Sequence, residues 1–259
     1  SPDLLKGIDS KRIATFQRAA GTALNKYRQY VQSDKISWTV IASPSEAWAE
    51  KVFPNLPKEK QVDALWDAIF KATRSDLDNP VEAWTKHNDT LHEKVHYLNA
   101  KKYAKLHYTA PGTDLTIELP KGHLWCGAGS VNEKGEEFMA NMPTEEVFTV
   151  PHKDGVNGYV SSTKPLSYGG NIIDNFKITF ENGRITKVEA EQGEEVLKNL
   201  VATDEGSHRL GEVALVPHDS PISNSGLLFY NTLFDENASN HLAIGSAYAF
   251  CLEGGKKMN

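Results

Sequence analysis

Apolar residues recur at helical spacing near the start of the chain. Ile13, Phe16 and Ala20 follow one another at intervals of three and four residues, which is the spacing of one helix face. Asp9 or Ser10 precedes them, and both residue types are suited to cap a helix N-terminus. We therefore expect the first part of the chain to be helical.

The same spacing returns in segment 58–74, where Val62, Leu65, Ile69 and Phe70 share one face of a predicted helix. Further helices are predicted at 45–53 and 80–106.

Residues 36–44, with the sequence ISWTVIASP, form a short run rich in β-branched and aromatic residues. The run ends in a Ser-Pro-Ser turn that can cap the helix predicted to follow it. A helix, a strand and another helix in succession are typical of an α/β layer. We therefore expect a strand in this run.

From about Leu106 onward, apolar and polar residues alternate. Segment 106–120 is predicted to be β-structure broken by Gly112. Segment 175–191 is the clearest hairpin, because Asn-Gly at positions 182 and 183 supplies a type I′ turn between two alternating runs. Residues 211–217, GEVALVP, have the pattern of a buried strand.

These patterns predict an α+β protein. We assign residues 1–105 to a partial, helical α/β domain and residues 106–259 to a β-rich domain with a mostly antiparallel sheet.

Composition excludes several classes of function. The net charge is −6, from 28 Lys and Arg against 34 Asp and Glu, so neither nucleic acid nor an anionic membrane is an expected partner. The two cysteines, Cys126 and Cys251, are far apart in sequence, which argues against a disulfide framework or a thiolate zinc site. Without an apolar run of about 18 residues or a signal-peptide pattern, we expect a cytoplasmic protein.

The sequence HEKVH at residues 92–96 matches the H-E-x-x-H signature of zinc peptidases. On a helix, His92 and His96 would share a face and Glu93 could act as a base. However, the apolar stripe of this helix runs through Leu91 and Val95, which leaves the histidines beside it. We therefore prefer an ordinary surface helix and keep a single-zinc peptidase as an alternative.

Several glutamates of the second half lie in apolar surroundings. If Glu145 and Glu146 belong to a strand, they point to opposite faces and one of them faces inward. Glu212 lies at the head of a buried-type strand, and Glu236 precedes a predicted helix. Each alone could cap a turn or pair with a lysine. Together with His241, they favour a metal site with oxygen and nitrogen ligands.

The stretch FDENASNHLAIGSAYAF places Glu236 and His241 five residues apart, whereas ligands on one helix face are three or four apart. We resolve this by predicting a helix that begins at Asn237 or Ser239, with Glu236 in the loop before it. Tyr248 would then lie two turns after His241 on nearly the same face.

Three motifs in this order, NMPTEEVFTVPH, LGEVALVP and FDENASNHLAIGSAYAF, resemble the M29 family of metallo-aminopeptidases, also called the aminopeptidase T family. The segments GTDLTIELP and WCGAG fit the resemblance as well, which covers the chain from about residue 106 with specific motifs and more loosely before it.

The resemblance implies a homodimeric hydrolase that removes N-terminal residues from peptides through two divalent ions of cobalt, zinc or magnesium. By motif, Glu146, Glu212, Glu236 and His241 match metal ligands of the family. Tyr248 matches a tyrosine of its active centre, where a phenol O–H can stabilise an oxyanion. We expect Glu212 to serve also as a catalytic carboxylate, taking and returning a proton.

Family members carry a further His-x-Asp pair downstream of these motifs, and this chain ends before reaching it. His152 and Asp154 have that spacing but follow the first motif directly, so we interpret them as part of a turn. We therefore expect a central fragment of an aminopeptidase, lacking N-terminal and C-terminal parts. The alternative is a non-catalytic fragment that keeps the fold and dimer contacts but binds no metal.

Overall fold

The computed structural model describes residues 5, 8 and 10–258. Its α-helices, in chain order, are α1 (Ser10–Ala23), α2 (Asn25–Gln32), α3 (Glu46–Val52), α4 (Lys58–Ala72), α5 (Pro80–Lys101), α6 (Glu194–Val201), α7 (Pro221–Ser225) and α8 (Thr232–Asp235). Short 3-10 helices span Gly206–His208, Glu236–Ala238, Ala249–Cys251 and Gly255–Lys257. Within the described part of the chain, no helix combines the length and the apolar character needed to cross a bilayer.

The strands are β1 (Lys105–Ala110), β2 (Thr113–Glu118), β3 (Cys126–Gly127), β4 (Ser130–Val131), β5 (Glu137–Phe138), β6 (Val147–Thr149), β7 (Val156–Ser161), β8 (Leu166–Tyr168), β9 (Asn171–Glu181), β10 (Arg184–Gln192), β11 (Leu210–Leu215) and β12 (His241–Ile244). They form a six-stranded sheet in the order β1-β2-β7-β9-β10, with β8 also paired to β9, a four-stranded sheet β12-β11-β6-β3 and the small pair β4-β5. Every strand pair is antiparallel, and the predicted α+β class is confirmed.

The predicted hairpin is confirmed in β9 and β10. Asn182 and Gly183 both have positive φ, at 48° and 77°, as a type I′ turn requires. The strands pair from Arg184 opposite Glu181 onward, so the turn fixes the register of the longest hairpin in the large sheet.

Two hydrophobic clusters hold these elements together. The first lies between the sheets and helices α5 and α6, with Leu91, Trp125 and Leu197 among its buried residues. The second joins Leu65 of α4 to Phe234 of α8 and the segment between α7 and α8. Each cluster draws residues from both sides of position 105, and the division of the chain at that position stays a prediction.

The strand predicted at residues 36–44 was wrong. The segment makes only an isolated parallel bridge, between Val40 and Asn141. Val40 and Ile41 are both exposed, so the run has no buried face on which a strand could be stabilised. The helix predicted after it is confirmed as α3, where the Ser45 hydroxyl accepts a hydrogen bond from the Trp48 N–H.

The helix predicted after Asn237 was also wrong. His241 begins strand β12, and the chain then turns at Gly245 before a short 3-10 helix. Leu242 and Ile244 alternate with His241 and pack against the first cluster, which is a period of two rather than of a helix. Pairing with β11 therefore decides the structure of this stretch.

The helices predicted near the start are confirmed as α1 and α2, which meet at Leu24. Asp9, one of the two predicted caps, lies outside the described residues. Phe16 is 74 % exposed, so the apolar pattern that predicted α1 is not matched by burial of its aromatic residue.

Candidate metal centre

The four-stranded sheet brings the candidate ligands together. In its register, His241 at the start of β12 lies opposite Ala214, and Glu212 lies opposite Ala243. These four side chains lie on one face of the sheet. Glu212 and His241 are diagonal neighbours across the two strands, and Ala214 and Ala243 occupy the other diagonal. Glu146 directly precedes β6, which pairs with β11 on its other side. The small alanine methyl groups leave room between the larger side chains.

A local irregularity in β11 supports this arrangement. The register between β11 and β12 shifts between Leu210 and Glu212, as in a β-bulge, and bulges re-aim the side chains beside them. A Cβ at Gly211 would lie 2.2 Å from the Ser246 carbonyl oxygen, so no other residue fits without moving that loop. The position before Glu212 is thus constrained to glycine by the loop that follows β12.

Three donor atoms converge at this point. One atom from each of Glu146, Glu212 and His241 lies within 4.8 Å of the other two. His241 Nε2 is 2.8 Å from Glu146 Oε2 and 3.7 Å from Glu212 Oε1. Such separations suit ligands that share one cation at about 2.0–2.2 Å each.

Two observations test whether these residues fit a metal ion. Glu146 Oε2 is buried and has no partner with hydrogen-bond geometry among the described residues, in spite of its short distance to His241 Nε2. His241 Nδ1 lies 3.2 Å from the Ser239 carbonyl oxygen, which accepts a hydrogen bond from Nδ1–H, so Nε2 is the nitrogen that faces the carboxylates and would bind a metal ion in place of its proton. Metal-binding histidines usually have this support for the second nitrogen. The residues therefore fit a divalent cation.

The electrostatics of the cluster lead to the same conclusion. Burial alone would lower the pKa of His241, but the nearby carboxylates of Glu146 and Glu212 raise that pKa to about 11. Burial and then the charge of Glu146 raise the pKa of Glu236 to about 7. The cluster therefore concentrates negative charge that a cation would neutralise.

Tyr248 lies beside these carboxylates. Burial, followed by the charges of Glu212 and Glu146, raises the pKa of its phenol, which therefore stays protonated and able to donate. Its ring stacks on Phe250 at 4.9 Å between centroids and lies 5.8 Å from Phe148. Tyr248 was predicted to lie two helical turns after His241. It lies instead in the loop after β12, which places it beside the carboxylates.

Sequence reasoning missed a second group of buried polar side chains, which lies next to the three candidate metal ligands. Both Glu145 and Glu146 are buried, although only one of them was predicted to face inward. Arg74 Nη1 and Nη2 donate to the two oxygens of Glu145 at 2.5 and 2.9 Å. His87 Nε2 lies 3.5 Å from Glu145 Oε2. Arg74 and His87 belong to the helical half, where no sequence pattern distinguishes them from surface residues.

The HEKVH segment lies in α5. His92 is half-buried, His96 is exposed, and their rings are 6.5 Å apart. Among the described residues no third His, Cys, Asp or Glu joins them in a group that could hold a metal ion. The geometry does not favour the single-zinc alternative.

Two other sequence features have defined surroundings. His152 and Asp154 lie in a turn, as predicted, and Asp154 accepts a hydrogen bond from Arg209 at 2.9 Å. Cys126 and Cys251 are free thiols, and Cys251 lowers the pKa of the Cys126 thiol although the two are distant in sequence.

Comparison with known proteins agrees with this geometry. The model of the family described as thermophilic metalloprotease (M29) matches residues 1–259. Aminopeptidase AmpS of Bacillus subtilis (strain 168) is 71 % identical over all of this chain, and aminopeptidase 2 of Geobacillus stearothermophilus is 54 % identical. The chain covers 63 % of the length of each of these two relatives.

A solved structure gives the same result. The structure described as wild-type AmpT from Thermus thermophilus matches with a TM-score of 0.92 and 45 % identity, over 99 % of this chain and 63 % of that one. The fold is thus similar to that of AmpT, and the sequence is similar to those of proteins named aminopeptidases. The chain belongs to the thermophilic metalloprotease family M29.

Proposed function

We propose that this chain is the core of a metal-dependent aminopeptidase, which hydrolyses N-terminal residues from peptides. The observation that carries the proposal is the convergence of Glu146, Glu212 and His241, with a buried carboxylate oxygen that lacks a hydrogen-bond partner in the described part of the chain. The relatives named aminopeptidases support the choice of reaction.

The residues suit the chemistry of peptide hydrolysis. A divalent cation held by these ligands would polarise the scissile carbonyl and lower the pKa of a bound water. The Glu212 carboxylate is only half-buried and is suited to accept a proton and return it to the leaving amine. Tyr248, whose phenol stays protonated, is suited to donate a hydrogen bond to the developing oxyanion.

We further propose that Glu236 supplies a ligand oxygen and that the site binds two ions. Glu236 is close enough to Glu146 and Glu212 for their charges to raise its pKa, although its oxygens are not part of the converging group of three. Oxygen and imidazole ligands are compatible with cobalt, zinc or magnesium, so the ligand set alone does not select among them.

The remaining parts of the proposal follow from the family and from composition. We propose a homodimer that acts on peptides with a free N-terminus in the cytoplasm. The net charge of −6 makes nucleic acid and anionic membranes poor partners.

An assay of aminoacyl-nitroanilide hydrolysis tests the function. The chain would be stripped of metal with a chelator, and activity measured before and after addition of Co²⁺, Zn²⁺ or Mg²⁺. We expect activity that depends on added metal and that is absent with an N-acetylated substrate, because an aminopeptidase requires the free amine.

Glu212→Gln is the informative variant and Glu195→Gln, whose side chain is 81 % exposed, is its matched control. We expect the first to lose activity and the second to retain it. Turnover that is indifferent to chelation would contradict the proposal, and a chain that neither binds metal nor turns over substrate would favour the non-catalytic alternative.

A further inference from the structure

Glu145 is fixed at the centre of a fully partnered buried cluster. Its side chain is 2 % exposed and receives both Arg74 nitrogens, so the carboxylate is neutralised by a two-point ion pair. The Arg74 guanidinium lies 5.8 Å from the Trp84 ring centre, and Trp84 Nε1–H donates to the Thr73 carbonyl oxygen at 2.6 Å. Arg74 itself is held in a left-handed conformation with φ of 57° directly after α4.

His87 ties this cluster to the main chain before Glu146. Its Nε2–H donates to the Thr144 carbonyl oxygen at 2.7 Å, while Nδ1 accepts from Arg74 Nη2 at 3.2 Å. Both ring nitrogens are satisfied only in the neutral imidazole, since a proton on Nδ1 would face the Arg74 donor. Helix α5 therefore anchors residue 144 through one oriented side chain.

Asn237 connects the same main chain to the segment that carries Glu236. Asn237 is completely buried, and its Oδ1 accepts from the Glu145 N–H at 2.7 Å. Its Nδ2 donates to the Leu233 carbonyl oxygen at 2.9 Å, within α8. One amide side chain thus joins the residue before Glu146 to the residue after Glu236.

Hydrogen bonds do not fix Oε2 of the Glu146 carboxylate, because this buried oxygen has no partner with suitable geometry among the described residues. Its direction must be set by the backbone on which it stands. We propose that Glu145, Arg74, His87 and Asn237 form a positioning network that fixes this backbone and so presents Glu146 and Glu236 to the metal ion. The proposal rests on the proposed function, since it presumes that these glutamates bind metal.

A network with only a structural role would change stability and leave metal affinity unchanged. A positioning network changes the affinity of the folded protein and the geometry of the bound ion. Supporting residues around metal ligands typically contribute about 10-fold to 100-fold in metal affinity. The two roles are therefore separable by measuring both quantities on the same variants.

Titration of the metal-free chain with Co²⁺ is the direct test, because visible absorption reports both the affinity and the ligand geometry. Asn237→Ala removes the link between the two segments without changing any charge. Arg74→Lys keeps the charge and loses the two-point contact with Glu145. We expect each variant to bind Co²⁺ about 10-fold to 100-fold more weakly, with an altered absorption spectrum.

Leu65→Ala is the control, because Leu65 is fully buried in the second hydrophobic cluster and its apolar side chain takes no part in the hydrogen bonds of the network. It should lower the unfolding temperature and leave both the affinity and the spectrum unchanged. If Asn237→Ala and Arg74→Lys bind Co²⁺ as the unaltered chain does, the positioning role is overturned while the proposed function stands. If the unaltered chain binds no Co²⁺, both proposals are overturned together. Should one variant fail to fold, the other decides the question.

Discussion

Glu145 and Glu146 are adjacent, chemically identical and almost equally buried, yet their surroundings are opposite. Glu145 is paired with Arg74 and lies close to His87. Glu146 lies among other acidic groups and close to His241, without hydrogen-bond geometry at its buried oxygen Oε2. Burying a carboxylate is costly unless a cation or donors compensate. The first glutamate is paired with a permanent cation, whereas the second faces an imidazole that can exchange its proton for a metal ion.

The largest expected effect comes from removing Arg74, the cation that pairs with the buried Glu145. Arg74→Met leaves the charge of Glu145 buried and unpaired, and breaking such a buried pair typically costs about 3–5 kcal/mol. Urea unfolding of the metal-free chain would measure the loss. Arg184→Met is the matched control, since Arg184 pairs with Glu205 at the surface, with side chains 40 % and 73 % exposed. A loss at Arg74 no greater than that at Arg184 would contradict the comparison.

The second effect concerns Glu146 and is expected in metal affinity. Glu146→Gln should weaken metal binding by more than about 100-fold, beyond the range of residues that only support a ligand. Metal titration of the chelator-treated chain measures the affinity. An unchanged affinity would remove Glu146 from the ligand set.

The contrast between the two glutamates was only partly predictable from sequence. The motif around Glu146 and the strand that holds Glu212 follow from local patterns, since alternation and a buried-type run identify strands. Arg74 and His87 carry no such signal, because their roles depend on contacts with a residue about 60–70 positions away. Long-range contacts of this kind are fixed by packing rather than by local propensity.

The stretch from Glu236 to Tyr248 shows a second limit of prediction from sequence. Its residues were identified, but a helix was assigned where β12 lies. Leu242 and Ile244 would have indicated a strand by their period of two, and the Gly245 turn interrupts any helix. The pairing with β11 brings His241 beside Glu212 in a way that no helical spacing could have predicted.

A smaller effect should appear in the pH dependence of stability. Burial lowers the pKa of His87, more than the charge of Glu145 raises it, and Arg74 adds to the lowering. In the unfolded chain this histidine takes up a proton below about pH 6.5. The unfolded state then binds more protons than the folded state, so stability is lost as pH falls below that value.

His87→Gln removes this titration while keeping an amide that can donate and accept. The free energy of unfolding would be measured with urea between pH 8 and pH 5. We expect the difference in this free energy between the unaltered chain and the variant to shrink as pH falls. His107→Gln is the control, because His107 is exposed beside Asp114. It measures the effect of replacing a histidine at the surface. If the unaltered chain instead became more stable relative to the variant as pH falls, His87 would be charged in the folded protein.

The smallest expected effect is at the helix that carries the zinc-peptidase signature. His92→Ala combined with His96→Ala should leave Co²⁺ affinity and aminopeptidase activity within about twofold of the unaltered chain, a difference below 0.5 kcal/mol at about 1.4 kcal/mol per tenfold. The reason is geometric: no third ligand joins these histidines among the described residues, whereas three donors converge at Glu146. Co²⁺ titration of the double variant beside Glu146→Gln measures the difference directly. If the histidine variant lost affinity and Glu146→Gln retained it, the metal would belong to α5, and the contrast between the two glutamates would have no bearing on catalysis.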